Sequence, residues 1–344
     1  MRGLLVCVLL LLAVLPACAG RLERHEFARV SMGVPARIVL YAPNASAAEA
    51  AAQDAFAEIA RLDAILSDYR RDSVVTRLGE ASGRHAVDSP ADLIHLVRVG
   101  AIVSDASSGA FDVTVAPFVR LWRASRRDGR LPDHDQLDAA RALVDRHAVR
   151  LPAGESGPVM LTRAGMGLDF GGIAKGYAAQ RAVEVLRERG HGRCLVSLAG
   201  DVVAGSPPPG RDGWHIEIRG ERATPDAPAV GTLVLANAAV STSGDAEQFV
   251  EIGRVRYAHI VDPRTGLGST RRAQATVVAP RGEIADAIAT AACLVPADDV
   301  PPLLRACGGR ACVIVEGGVT RVIDPRRALR WSGPAPDAAP PSRR

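Results

Sequence analysis

Apolar residues that recur at every third or fourth position predict helices mainly in the first half of the chain. The first predicted helix covers residues 46–69, and Ser46 with Glu49 has the spacing of a capping box at its start. Its largely apolar stripe consists of Ala52, Phe56, Ile59, Asp63 and Leu66. A second helix is predicted to begin at Ser89-Pro90 and to end at Gly109, because proline is favoured in a first turn and glycine after a last turn.

A third helix is predicted from about Ala174 to Arg189, where Gly190 gives a stop signal. The apolar residues that follow form short runs of the kind that predict strands. These runs are CLVSLAGDVVAG, WHIEIRG, GTLVLAN, YAHIVD, ATVVAP and ACVIVEGG. Helices in the first half and strands in the second favour an α+β fold over a regular βαβ alternation. No low-complexity linker divides the chain, so we expect one compact unit.

The N-terminal stretch MRGLLVCVLLLLAVLPAC has the pattern of a secretory signal peptide. One arginine precedes an apolar run that is too short for an ordinary transmembrane anchor and that ends in small residues. Leu15-Pro16-Ala17-Cys18 resembles a bacterial lipobox, in which the cysteine is acylated and becomes the first residue of the mature protein. The alternative is an ordinary signal peptide that merely contains Cys18, because proline is less usual in a lipobox. Both interpretations predict a mature protein outside the cytoplasm.

These features divide the chain into a signal peptide (1–17) that precedes a lipid-modified Cys18, a tether (18–25), one domain (26–330) and a disordered tail (331–344). The tail is rich in proline and alanine and cannot form a core. The lipobox predicts that the domain lies on the periplasmic side of a bacterial membrane and is attached by its lipid. It does not distinguish the inner from the outer membrane.

Charge and cysteine usage exclude some functions and leave others open. The net charge is only +4, and no block of lysine and arginine is interleaved with aromatic residues, so nucleic-acid binding is not predicted. Cys307 and Cys312 follow a C-x-x-x-x-C spacing without a nearby histidine, which is a poor zinc pattern. In an oxidising compartment, a local disulfide between them remains open.

The segment IADAIATAACLV carries two polar residues in an otherwise apolar helical stretch. Asp286 and Thr290 are four residues apart and therefore share one face of the predicted helix. Their carboxylate and hydroxyl groups are hard oxygen ligands that suit Mg²⁺, which usually completes its shell with water and phosphate oxygens. In the alternative interpretation, Asp286 stabilises its own helix N-terminus and Thr290 bonds back to its own helix.

The segment DFGGIAKGYAAQ places two glycines and Lys175 where the third helix begins. Such glycines let backbone N–H groups approach an anion, and the lysine adds a positive charge. The spacing matches neither a P-loop nor a dinucleotide-binding fingerprint. A phosphate-binding loop and a plain glycine turn before a surface helix both remain possible interpretations of this segment.

Two further polar residues border apolar segments. Asp112 follows Phe111 after a serine-glycine turn, where it would accept hydrogen bonds from an adenine amine or a ribose; a turn aspartate beside a core phenylalanine is the alternative. His259 lies in a β-like run that breaks at Asp262-Pro263 and turns at Gly266. A histidine at a strand end is a candidate general base, and a structural histidine is the alternative.

Taken in order, these segments resemble the ApbE family of FAD:protein FMN transferases, which are often periplasmic lipoproteins. The resemblance extends from about residue 26 to 323. It rests on Met32-Gly33, ILSDYRRDSVVTRL, GAFDVTVAPFVRLW, DFGGIAKGYA, STSGD, YAHIVDPRTG and ADAIATA. It implies a single compact ApbE-like, T-fold-like domain with helices packed on antiparallel or mixed sheets. It also implies an enzyme that uses Mg²⁺ to cleave FAD and that attaches FMN through a phosphoester to a threonine or serine of an acceptor flavoprotein, with release of AMP.

The same resemblance implies a set of FAD-binding residues. Asp169 and Lys175 would contact FAD, and DFGGIAKG would hold its diphosphate. The positions that line the flavin nucleotide are matched by Met32, Tyr69, Ala110, Phe111, Asp112 and Ile260.

Metal binding and catalysis are implied for a second set. Asp286 and Thr290 match the side chains that hold Mg²⁺, with the Ala289 region close by. A backbone carbonyl between Gly172 and Ala174 would complete the metal site. His259 matches a histidine implicated in activating the acceptor hydroxyl, and with Lys175 and Asp286 it forms the implied catalytic group.

The chain departs from the family pattern at three positions. Val34 stands where threonine is common, Ala199 where glycine is usual, and Ala246 where an aromatic residue is common. Asp201 stands where asparagine or aspartate occurs. None of these changes removes a metal or phosphate ligand, so activity is expected. Two other functions remain open: a pyrophosphatase that hydrolyses FAD to FMN and AMP, and a non-catalytic flavin-binding lipoprotein that assists assembly.

Overall fold

An eight-stranded antiparallel sheet forms the centre of the computed structural model, which describes residues 21–220, 229–244, 249–327 and 329–333. Every strand pairs antiparallel with its neighbours. The spatial order is β1 (Glu23–Ser31), β2 (Val34–Ala42), β6 (Cys194–Leu198), β7 (Asp201–Ala204), β10 (Ala238–Ser243), β13 (Ala273–Ala279), β14 (Ala311–Glu316) and β15 (Val319–Ile323).

Smaller antiparallel groups surround this sheet. One contains β8 (Trp214–Arg219), β9 (Ala229–Leu235) and β16 (Trp331–Ser332). Another contains β3 (Val87–Ser89), β4 (Val149–Arg150) and β5 (Gly157–Leu161). A separate hairpin is formed by β11 (Phe249–Ile252) and β12 (Val255–Ala258).

The described residues form eight α-helices, some of which pack against the central sheet. They are α1 (Ala45–Leu66), α2 (Val74–Ala81), α3 (Ala91–Ala106), α4 (Ala116–Asp128), α5 (His134–Arg141), α6 (Ala174–Glu188), α7 (Gly282–Ala292) and α8 (Val300–Cys307), with 3₁₀ turns at Arg146–Ala148 and Ala297–Asp299. Among the described residues, no helix is long and apolar enough to cross a membrane.

The position of strand β13 in the sheet explains why its sequence is mostly apolar. All seven of its residues are buried, because both faces of the sheet are covered at this point. Val277 faces the main core beneath the helices, whereas Val278 faces a smaller core that Trp214 and Leu233 form on the other side. Since strand side chains alternate between faces, a strand buried on both faces is apolar at most positions.

The predicted α+β class is confirmed, and the three predicted helices correspond to α1, α3 and α6. The predicted capping box is wrong. Helix α1 begins one residue earlier, and its cap is Asn44, whose Oδ1 accepts a hydrogen bond of 2.9 Å from the Ala47 N–H. Asn44 is a strong N-cap residue in its own right, so the chain does not need the Ser46–Glu49 pair.

Ordered structure extends beyond the predicted domain boundaries at both ends. Strand β1 begins at Glu23, inside the predicted tether, and Trp331–Ser332 pairs with β9 although the tail was predicted to begin at residue 331. Cys18 lies outside the described residues. Cys307 and Cys312 are buried thiols that no disulfide joins, and burial raises the pKa of Cys307 to about 11.

Candidate functional site

One cavity of about 630 Å³ collects most of the residues that the sequence singles out. Its volume lies in the usual range for small-molecule sites. Its walls come from α4, from the loops around α6, from β8 and β10, and from α7. The predicted residues that line it are Tyr69, Ala110, Phe111, Asp112, Asp169, Gly172, Lys175, His259, Ile260, Asp286 and Thr290.

The close approach of α6 to α7 builds one end of this cavity. Gly176 in the first turn of α6 lies against Gly282, the first residue of α7. A Cβ atom on Gly176 would come within 2.2 Å of the Gly282 carbonyl oxygen, and a Cβ on Gly282 within 2.0 Å of the Gly176 carbonyl oxygen. Only glycine at both positions lets the two backbones meet, and this contact brings Lys175 next to Asp286.

Gly176→Ala is therefore expected to lower the free energy of unfolding by about 3 kcal/mol, the upper end of the usual cost of overpacking. The added methyl group meets backbone atoms, which cannot rotate away. Thermal unfolding measures the effect. Gly79→Ala is the matched control, because Gly79 is also helical but its Cβ would have only an ordinary contact at 3.8 Å. Equal melting temperatures for the two variants would contradict this account of the helix contact.

Lys175 lies between two carboxylates at this end of the cavity. Its Nζ is 2.7 Å from Asp201 Oδ2 and 3.6 Å from Asp286 Oδ2. Burial disfavours the ammonium, but Asp286 and Asp201 outweigh burial and raise the pKa of Lys175. Burial, together with the nearby Asp201, raises the pKa of the Asp286 carboxyl, and Lys175 opposes this shift. The lysine is thus held charged in a group whose two carboxylates share one cation.

The contacts of Asp286 and Thr290 differ from those expected if both side chains only stabilised their own helix. Asp286 does not stabilise its own helix: its Oδ2 accepts a hydrogen bond of 3.0 Å from the Gly176 N–H in the first turn of α6. The Thr290 hydroxyl faces β10, where its Oγ1 lies 3.3 Å from the Ser243 Oγ. Both side chains therefore point from α7 toward the cavity, one turn apart, as their spacing predicts.

The donors at this end fit a magnesium ion that is shared with a substrate. Asp201 and Asp286 are almost fully buried, and Lys175 can balance only one negative charge when both carboxylates are ionised. Within the described ranges, no three His, Cys, Asp or Glu side chains cluster as a complete metal cage. Mg²⁺ typically binds through one or two carboxylates plus substrate phosphates, which matches a partial, negatively charged set of oxygen donors.

The cavity wall also carries the Tyr69 ring and a second ionic cluster. Asp169 accepts a hydrogen bond of 2.8 Å from the Gly171 N–H, so the carboxylate shapes the glycine turn before α6. Burial and the nearby Asp68 raise the pKa of the Asp169 carboxyl. Arg123 on α4 forms an ion pair of 2.6 Å with Asp68 and lies 3.7 Å from Asp169.

Phe111 packs beside Gly172, which in turn lies beside Thr290. Phe111 is buried, and a Cβ on Gly172 would lie 3.2 Å from its ring and 2.9 Å from the Thr290 Oγ1. Asp112 has the turn role of the structural alternative, since its Oδ1 accepts hydrogen bonds of 2.7 Å from both the N–H and the hydroxyl of Thr114. It lines the cavity as well, so the turn places a carboxylate in the wall.

His259 follows directly after β12 and lines the cavity. Helix α4 holds the preceding residue, Ala258, in place: the Trp122 indole N–H donates a hydrogen bond of 3.2 Å to the Ala258 carbonyl. The predicted turn after it is present, with Gly266 at φ +80° and its N–H donating to the Asp262 carbonyl at 2.8 Å. These contacts hold His259 at the cavity wall, where a general base would have to be.

Three of the predicted site residues do not line the cavity. Met32 occupies a tight turn with φ +50° and packs against the main core. Ala174 and Ala289 are buried, and the Ala289 carbonyl accepts a hydrogen bond of 3.3 Å from the Cys293 N–H. Of the predicted backbone donors, only Gly172 lies in the wall.

Sequence reasoning did not include Asp201 and Arg123 among the site residues. Asp201 begins β7, which forms a hairpin with β6, so only the folded sheet brings it to Lys175. Its signal was an aspartate after Ala199-Gly200 in a run that otherwise predicts strands. Arg123 belongs to the arginine-rich segment after Trp122, where one arginine cannot be distinguished from its neighbours by spacing.

The sequence model of the ApbE family matches residues 32–314. The FAD:protein FMN transferase of Treponema pallidum (strain Nichols) is 32% identical over 319 residues, which is 88% of this chain and 87% of that protein. An FAD:protein FMN transferase of Klebsiella pneumoniae (strain 342) is 31% identical over 242 residues, which is 70% of this chain and 73% of that protein.

Two solved structures share the fold of this chain. The crystal structure of the ApbE protein from Thermotoga maritima superposes with a TM-score of 0.77 at 26% identity and covers 87% of this chain and 96% of that chain. The apo form of the Pseudomonas stutzeri flavinyl transferase ApbE has a TM-score of 0.74 at 28% identity and covers 89% of this chain and 96% of that chain.

Proposed function

The chain belongs to the ApbE family, and we propose that it is a Mg²⁺-dependent FAD:protein FMN transferase. One observation carries the proposal for this chain. Lys175, Asp286 and Thr290 line the same cavity as the exposed Tyr69 ring. Lys175, and a cation held by Asp286 and Thr290, would bind a diphosphate anion. The aromatic side chain suits a planar nucleotide ring. The relatives from Treponema pallidum and Klebsiella pneumoniae are named for this activity.

In the proposed reaction, a threonine or serine hydroxyl of the acceptor protein attacks the phosphorus of the FMN half of FAD. A new phosphorus–oxygen bond forms to the acceptor, and the bond between this phosphorus and the bridging oxygen breaks. AMP leaves with that oxygen, and the hydroxyl proton is released. No redox change takes place.

Each residue at the site has a role in this reaction. Lys175 offsets negative charge that builds on the phosphoryl oxygens, and Asp201 holds its ammonium in place. His259 accepts the proton of the acceptor hydroxyl. Asp286, Thr290 and Gly172 would hold Mg²⁺, which when bound supplies Lewis-acid stabilisation of the diphosphate. The remaining walls orient FAD so that the attacking and leaving oxygens lie in line.

Product analysis tests the proposed function. The protein is incubated with FAD, Mg²⁺ and a candidate acceptor, and AMP, free FMN and acceptor-bound FMN are quantified by chromatography and mass spectrometry. We expect one AMP for each FMN on an acceptor threonine or serine. AMP with free FMN only, whether or not acceptor is present, would assign the pyrophosphatase function. Tight FAD binding without AMP would assign a non-catalytic assembly role.

Attachment to a membrane is a separate proposal that rests on the sequence around Cys18. We propose that Cys18 is acylated and that the domain acts on the periplasmic side of the membrane. Cys18→Ala is expected to abolish acylation and to release a soluble or unprocessed protein, as measured by fractionation and by mass spectrometry of the N-terminal peptide. Membrane attachment of the variant to the wild-type extent, with no lipid on that peptide in the wild type, would contradict the proposal.

A further inference from the structure

Arg123 contacts three cavity residues that come from two other segments of the chain. Its Nη1 is 2.6 Å from Asp68 Oδ2, and its Nη2 is 3.7 Å from Asp169 Oδ2. Its Cζ lies 4.3 Å from the centre of the Tyr69 ring. Asp68 and Tyr69 follow the end of α1, and Asp169 precedes α6, so one guanidinium on α4 connects both segments.

The Tyr69 ring is unusual for an aromatic residue of a cavity wall, because 80% of the residue is exposed. No packed core fixes its position, and the guanidinium is the one cation placed over the ring among the described residues. A cation over one ring face attracts the π system and leaves the opposite face free for a planar ligand ring. Arginine suits this task because its planar group stacks while its N–H groups hold carboxylates.

We propose that Arg123 is a positioning residue that holds Tyr69 as a stacking platform for one planar ring of the bound dinucleotide. The proposal rests on the proposed function, because it takes FAD as the ligand. The geometry separates this role from simple charge balance. The two carboxylates need only a positive charge, whereas stacking on the Tyr69 ring also uses the planar shape of the guanidinium.

A double-mutant cycle on ligand affinity tests the proposal. FAD, FMN and ADP are titrated by calorimetry, with EDTA present to prevent cleavage, into the wild type, Arg123→Met, Tyr69→Ala and the double variant. Arg123→Met is expected to weaken FAD binding about threefold to fivefold, the size of a cation–π contact at an exposed site. In the Tyr69→Ala background the same change should add less than about twofold, because coupled residues are not additive.

The two half-ligands distinguish stacking from charge. If Tyr69 supports one ring, Arg123→Met weakens the binding of either FMN or ADP by the same factor as FAD and leaves the other unchanged. Equal weakening of both ligands, or equal effects with and without Tyr69, would assign a charge role and overturn the proposal. Arg123→Lys keeps the charge but not the flat group, so it should behave like the methionine variant. If Arg123→Met does not fold, Arg123→Lys provides the test in its place.

Arg127→Met is the control on the same helix, since Arg127 is exposed and pairs with its neighbour Asp128. It should bind all three ligands like the wild type. Unchanged FAD affinity in both Arg123 variants would overturn this inference alone. A wild-type protein that binds none of the three ligands would overturn the proposed function together with it.

Discussion

Asp286→Asn is expected to leave the protein folded and to raise the Mg²⁺ concentration needed for half-maximal FAD cleavage more than about 100-fold. Loss of a group that only supports a metal ligand already costs about 10- to 100-fold in affinity, so loss of the ligand's charge should cost more. The variant should turn over FAD slowly even at saturating Mg²⁺. A Mg²⁺ titration of AMP release measures the effect.

The structure explains why folding should survive this change. The asparagine side-chain oxygen can still accept the Gly176 N–H bond that Asp286 accepts at 3.0 Å. Lys175 keeps its closer partner Asp201, at 2.7 Å. What the amide cannot supply is the negative charge that holds a hard dication. Thr290→Val should shift the Mg²⁺ requirement in the same direction but less, because it removes a neutral ligand.

Glu283→Gln provides a matched control for Asp286→Asn. Glu283 is a fully buried carboxylate on the same helix, but it pairs with Arg281 and His95 away from the cavity. Glu283→Gln should leave the Mg²⁺ concentration for half-maximal FAD cleavage unaltered. If Asp286→Asn keeps the wild-type Mg²⁺ requirement, or loses activity only because its melting temperature falls below the assay temperature, the metal assignment is wrong.

His259→Ala is expected to lower transfer of FMN to the acceptor about 10²- to 10⁴-fold, the usual contribution of a general base. FAD affinity should stay within about twofold of the wild type, because a base that acts on the acceptor adds little to substrate binding. Single-turnover transfer at saturating FAD, together with calorimetry of FAD binding, separates the two quantities.

His95→Ala is the control for His259→Ala, because His95 lies outside the cavity lining and contacts Glu283 at 3.2 Å. It should transfer FMN at the wild-type rate. Normal transfer by His259→Ala would return His259 to a structural role. A parallel loss of FAD affinity and transfer would instead make it a binding residue.

The fold was predictable where local patterns determine it. Helices α1, α3 and α6 follow from apolar spacing, and the strand runs after Gly190 follow from β-branched residues. The β1–β2 hairpin was not predicted, although Met32 and Gly33 both have positive φ, as a two-residue hairpin turn requires. Methionine is not a typical residue for that conformation, so the turn has a weak signal in the sequence.

The site was predictable where one helix presents the residues. Asp286 and Thr290 lie on one face of α7 because helical geometry places residues four apart together. Their meeting with Lys175 depends on the contact between Gly176 and Gly282, and Asp201 reaches the lysine through the order of strands in the sheet. Such contacts join residues far apart in sequence, and no local pattern encodes their distances.

The most direct test of the central claim is a crystal structure of this protein with FAD and Mn²⁺, whose anomalous signal locates the metal. The account predicts a Mn²⁺ peak about 2 Å from the Asp286 carboxylate and the Thr290 hydroxyl, close to the distances of Mg²⁺ sites. It also predicts the FAD diphosphate between this ion and Lys175. A diphosphate bound away from Lys175, or a metal ion that Asp286 does not touch while FAD fills the cavity, would contradict the account.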